Sequence, residues 1–225
     1  MTRTTNARIA GFTYLFYIAV AFPSSVLLQR ATSAEGTAAK LARIAEHASD
    51  VRLAIVLSLL GSFSALVLAV TLYGITRDED HELAMLGLTC RVAEGILGVV
   101  GTMSVVGLLR TAIAAGVPGS ANASTSAALG ALFLNLPFED AAATFFAFGS
   151  TIFSFLLLRG RIIPVPLAWL GVIASALLVV LLPLQLVGLF KPTFYTWMPT
   201  LVFELTLALW LLIKGASAPA RRQTT

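Results

Sequence analysis

The sequence is poor in the residues that do chemistry at most soluble active sites. It has a single cysteine, Cys90, and two histidines, His47 and His81. One cysteine excludes an intramolecular disulfide and a cysteine-based metal cluster. The two histidines fall in separate polar loops that a six-span topology puts on opposite sides of a membrane, which argues against a shared zinc or haem, so no cofactor is expected. Charge is scarce as well, at 12% of residues, against about 25% in an ordinary soluble domain. The net charge of +4 is spread over short loops and the C-terminal end. There is no basic groove for nucleic acid, and the pattern suits anionic lipid headgroups instead. Serine-hydrolase, P-loop and dinucleotide-binding signatures are missing, so an enzyme is not expected.

What the chain has in abundance is apolar residues, 58% of the total with a mean hydropathy of +0.90. They are gathered into runs of membrane-crossing length separated by short polar loops, more apolar surface than a soluble core of this size can use. The expected fold is all-α, a polytopic membrane protein forming one domain over 1–225. Its six spans are Ile9–Leu28, Leu53–Ile75, Leu83–Leu109, Glu139–Leu158, Leu167–Leu189 and Thr200–Ile213, followed by a flexible basic tail at 214–225.

Between the first two spans, Leu41, Ile44, Ala45 and Ala48 recur on one helical face and Lys40, Arg43, Glu46, His47 and Asp50 on the other. That spacing predicts an amphipathic helix lying along the membrane or capping the bundle. Gly116–Ser126 reads as a loop, with Asn122-Ala123-Ser124 matching a glycosylation sequon. Ala127–Leu136 is apolar but too short to cross and reads as interfacial or re-entrant. Phe190–Pro199, with Phe194, Tyr195 and Trp197, reads as an interfacial belt, and Tyr73 and Trp210 as further anchors. Pro23 interrupts the first span, and Pro183 predicts a kink in the fifth.

One span carries charge inside it. Arg91 and Glu94 stand in the first half of the third span, one helical turn apart, where an arginine reaches a carboxylate. Charge at membrane depth costs at least a few kcal/mol unless it is paired, hydrated or turned toward protein, so this face must point into a bundle. Gly95, Gly98 and Gly101 advance every three residues along the same span and drift around it, a loose small-residue face for close helix approach. Glu204 lies in the first half of the sixth span, and Arg52 opens the second. These four residues, Arg91, Glu94, Glu204 and Arg52, are the candidate binding residues.

Two readings of them stand side by side. In the plainer one, Arg91 and Glu94 form a structural ion pair, with Glu204 or Arg52 as a further partner. In the sharper one, Arg91 holds a small anionic molecule or a lipid headgroup, and a buried glutamate carries a proton. Partners are then membrane lipids and a small-molecule ligand. Three spans precede the Gly116 loop and three follow, with Glu94 and Glu204 in the third of each half, as an inverted repeat would place them.

Certain segments also resemble a known family. They are Arg8-Ile9-Ala10-Gly11, the Arg52 that opens the second span, Arg91-Val92-Ala93-Glu94, Arg159-Gly160-Arg161-Ile162-Ile163-Pro164 with Leu170-Gly171, and the run from Glu204 to Leu209-Trp210-Leu211-Leu212-Ile213-Lys214-Gly215. In this order they resemble the bacterial multi-pass membrane family called domain of unknown function 4386, over nearly the whole chain. The resemblance implies a six-helix protein of the bacterial inner membrane and supplies no substrate and no catalytic residues. Six spans put both termini on one side. Lysine and arginine are somewhat more numerous there (Arg3, Arg8, Arg77, Arg159, Arg161, Lys214, Arg221, Arg222) than opposite (Arg30, Lys40, Arg43, Arg52, Arg110, Lys191), which points to cytoplasmic termini.

Overall fold

A computed structural model describes residues 2–116, 123–191 and 193–216. Among them every regular element is an α-helix: α1 Arg3–Thr32, α2 Thr37–Glu46, α3 Ala48–Thr76, α4 His81–Ala115, α5 Ala123–Leu134, α6 Phe138–Arg159, α7 Val165–Leu186 and α8 Phe194–Ile213. Six of them (α1, α3, α4, α6 with α5 leading into it, α7 and α8) are long and apolar enough to cross a membrane. This is a multi-pass membrane protein.

The long helices exceed their apolar runs because local chemistry caps them further out. Thr2 accepts a hydrogen bond from the Thr5 N–H and starts α1 six residues ahead of the expected Ile9. Asp80 accepts from the Leu83 N–H and starts α4 at His81. Three expectations are corrected. Ala123–Ser126 belong to helix α5 and not to a loop; 117–122, with the sequon's Asn122, lie outside the described residues. The fifth span stops at Leu186, three residues early, where the chain turns toward Gly188 at φ 76°. The last helix starts at Phe194 and not at Thr200, because Thr193 and Thr196 form a capping box. The aromatic segment therefore forms the first turns of α8, and its Trp197 packs 6.3 Å from the Phe146 ring, centroid to centroid. Residues 217–225 of the expected tail are outside the described residues.

In chain order the six long helices stand in a closed ring, each beside the next and α8 beside α1. Glycines mark the seams and their antiparallel sense. Gly11 of α1 meets Ala208 and Leu212 of α8, and Gly95 and Gly98 of α4 meet Ser62 and Leu66 of α3. Gly101, further along α4, faces Phe138 and Glu139 of α6 instead, so the small-residue face does drift from one neighbour to the next.

At the end of the ring holding the chain termini, Ala7, Ala10, Leu68, Leu72, Leu156, Leu207 and Leu211 form an apolar core. Arg3–Glu79 (3.6 Å) and Arg159–Asp80 (2.9 Å) girdle that end. At the other end, Leu41 and Ile44 of α2 are buried with Ala31, Val51, Leu108 and Ala112. Between the two cores lies a polar layer.

Candidate functional site

The polar layer is built from α1, α4, α6 and α8. Arg91 is the eleventh residue of α4, about 15 Å along the axis from His81, and Tyr14 and Tyr17 lie at similar distances from Arg3 on α1. Glu204 is about as far from Ile213 on α8. All four therefore meet near half the thickness of a hydrocarbon core of about 30 Å.

Arg91 is 0% exposed. Its Nη1 stands 2.8 Å from Glu94 Oε2, the ion pair that the three-residue spacing predicts. The guanidinium lies 5.0 Å over the Phe146 ring, a cation–π contact in a dry environment. The Tyr17 hydroxyl points at Glu94 Oε1 across a long 3.5 Å. Glu204 is 5% exposed and has no ion pair among the described residues. Tyr14, one turn before Tyr17 on α1, is buried at 3% exposure.

Arg52 stands apart. It is exposed in the second turn of α3, whereas α4 near Arg91 packs on the far half of that helix, on the order of 20 Å along the axis. The structure thus brings together three of the four candidate residues and leaves Arg52 out. An arginine early in an apolar run is what a membrane-boundary residue looks like, and sequence spacing cannot separate that from a site residue in another helix.

The site has more hydrogen-bonding capacity than its own residues use. Arg91 Nε and Nη2, Ser150 Oγ, Thr200 Oγ1 and Glu204 Oε1 are buried without a hydrogen-bond partner among the described residues. Such groups cost roughly 1–3 kcal/mol each, more if charged. One carboxylate, that of Glu94, meets the guanidinium directly. Sequence reasoning missed Tyr14, Tyr17, Ser150 and Thr200, whose only signal is a polar atom in mid-span. The histidines keep separate surroundings, His47 3.5 Å from Asp50 and His81 3.4 Å from the Tyr73 hydroxyl.

One segment of the family likeness, Arg91-Val92-Ala93-Glu94, lies in this layer. A family model, described as a domain of unknown function (DUF4386), matches residues 9–215. The chain belongs to the DUF4386 family. Comparison with curated proteins finds no match. Comparison with solved structures finds none either. In this DUF4386 protein the matched segments have distinct physical parts. Arg91-Val92-Ala93-Glu94 supplies the buried ion pair, Arg159 clamps Asp80 at the girdle, and Gly171 lets Phe203 and Ser154 approach the α7 backbone.

Proposed function

We propose that this protein binds, and passes across the membrane, a small polar or anionic molecule or lipid headgroup held between Arg91 and Glu204. The observation that carries the reading is the set of buried groups on α4, α6 and α8, Arg91 among them, that find no hydrogen-bond partner among the described residues. In the bound state the ligand's acceptor takes the free N–H groups of Arg91, in the manner of a carboxylate or phosphate. Its donor meets Glu204 Oε1. Glu94 holds the guanidinium in place. Arg91 is fully enclosed, so access requires the helices to part; Pro23 in α1 and Pro183 in α7 interrupt the hydrogen-bond ladders where bending is easiest.

In this reading the whole chain acts as one membrane domain in a bacterial inner membrane, with both termini cytoplasmic and membrane lipids as partners. Helix α2 lies along the opposite surface and α5 forms an interfacial or re-entrant hairpin with α6. No nucleic acid, metal or cofactor enters.

The test is native mass spectrometry of protein purified in mild detergent, wild type against Glu204→Gln and Arg91→Lys. Both variants keep the buried volume. Loss of a co-purifying small molecule at unchanged melting temperature supports the site. A second reading has an observation of its own: Arg91 packs on Phe146 and on Gly149, as a purely architectural residue would. It prevails if nothing co-purifies with wild type and exchanging the pair, Arg91→Glu with Glu94→Arg, restores the expression that each single change loses.

A further inference from the structure

The polar layer holds a row of charges whose depths follow from helix register. Two contacts set α6 against α8: the Phe146 ring lies beside Trp197, and Ser154 and Phe203 both approach the α7 backbone at Gly171. A residue of α6 is therefore level with the α8 residue about fifty positions later. The stem of Arg91 lies against Gly149, which puts it level with Thr200, one turn before Glu204 on the same face of α8. Arg91 and Glu204 thus differ in depth by about 6–8 Å, the reach of a small molecule between them.

The two open ends of the row have opposite signs. Glu94 takes Arg91 Nη1 at 2.8 Å. Nε and Nη2 lie on the other edge of the guanidinium, and neither they nor Glu204 Oε1 find a hydrogen-bond partner among the described residues. An edge of two parallel N–H groups is the fork that a planar carboxylate meets with both oxygens. No second protein cation is at hand for Glu204: α7 and α8 contain no basic residue, that of α6 is its last, Arg159, and those of α1 are Arg3, Arg8 and Arg30, toward its ends.

This pattern selects among ligand classes. A lone anion on Arg91 brings a third negative charge into a dry layer that holds one positive one, where like charges repel strongly. A lone cation on Glu204 leaves the guanidinium edge unmet. A molecule with a carboxylate and an ammonium adds no net charge and makes the signs alternate from Glu94 through Arg91 and the ligand to Glu204. Apolar cores close the ring on both sides of the layer, so a headgroup trailing acyl chains does not fit.

We infer that the ligand of this layer is an α-amino acid zwitterion, its carboxylate on Arg91 Nε and Nη2 and its ammonium on Glu204. Ser150 and Thr200, level with each other, offer hydroxyls to its remaining hydrogen-bonding positions. The inference rests on the binding reading given above and narrows it to one class of substrate.

The full-length protein in mild detergent is titrated by calorimetry with alanine, leucine and phenylalanine, with the carboxylates that lack the amino group (propionate, isocaproate, hydrocinnamate), with the amines that lack the carboxyl group (ethylamine, isoamylamine, phenethylamine), and with phosphoethanolamine. At least one amino acid is expected to bind about ten-fold tighter than both of its analogues. Glu204→Gln should lower that amino acid to the affinity of its carboxylate analogue, Glu204→Asp should keep the preference, and Arg91→Lys, which has no fork, should weaken both. Arg52→Gln serves as a surface control, and melting temperatures report folding; the wild-type comparison decides by itself where a variant does not fold. Carboxylates that bind as tightly as their amino acids overturn the zwitterion and leave the Arg91 anion site standing. Phosphoethanolamine binding tighter than every amino acid overturns the carboxylate in favour of a phosphate. If no amino acid binds, the inference falls, while co-purification still decides the binding reading separately.

Discussion

Gly149 of α6 lies against the aliphatic stem of Arg91, so closely that a Cβ built there would stand 3.1 Å from both its Cγ and its Cδ. A buried arginine can cross between helices only if its stem has somewhere to lie, and the missing side chain at Gly149 makes that room. Gly149→Ala forces the stem to shift by a few tenths of an ångström, and Gly149→Leu displaces the guanidinium from Phe146 and Glu94. The expected cost is about 1–3 kcal/mol for overpacking in the alanine variant and more for leucine. Thermal melts in detergent, with Gly149→Ala compared against a surface glycine control, check this.

Breaking the ion pair from one side leaves an uncompensated charge in a dry interior. Arg91→Met and Glu94→Gln alone are each expected to cost about 3–5 kcal/mol, whereas the double change should recover most of the loss, because two well-packed neutral side chains replace two desolvated ions. A double-mutant cycle on melting or on resistance to denaturant measures the coupling. Additive single effects would mean that the two charges do not depend on each other.

The girdle gives a pH dependence with a definite sign. Asp80 is held below the ordinary aspartate range by the backbone hydrogen bond from Leu83, helped by the Arg159 guanidinium. A carboxyl depressed in the folded state stabilises above its unfolded value, about 3.9, and loses that contribution as pH falls through the lower folded value. Asp80→Asn keeps a capping side chain but removes the charge. Its deficit relative to wild type should be full near neutrality and disappear as pH drops below the ordinary aspartate range, and high salt should shrink it because the Arg159 contact is exposed. A deficit that does not change with pH would assign Asp80 a capping role only.

Arg161, in the turn between α6 and α7, adopts φ 49°, the left-handed region that β-branched residues tolerate poorly. The turn is needed because Ile162 and Ile163, next in the chain, are buried at 0% and 3% exposure. Arg161→Gly should leave the melting temperature unchanged or raise it. Arg161→Val should lower stability by about 1–2 kcal/mol. Equal effects from the two would show that the side chain, not the backbone angle, matters there.

Much of this was legible beforehand because the bilayer imposes simple rules. A run of about 20 apolar residues has to be helical in lipid, since no other segment satisfies its own backbone, and so the number and approximate place of the spans followed from composition. Arg91 and Glu94 were legible as a pair because one turn of helix sets their separation. Helix ends were less so: α8 begins six residues before the expected Thr200 because Thr193 and Thr196 close a capping box. A hydropathy pattern does not register that contact.

The length of the apolar runs, with the one-turn spacing of Arg91 and Glu94, determined on its own that the chain is helical, crosses a membrane and hides an arginine beside a glutamate. Only the folded ring decided that Glu204 and Tyr14 share that layer while Arg52 does not. These residues are far apart in the chain, and the depth at which each sits depends on how the helices slide and turn against one another. That register is set by seams such as Gly11 on Ala208 and Gly149 on Arg91, contacts between surfaces that exist only once both helices are in place.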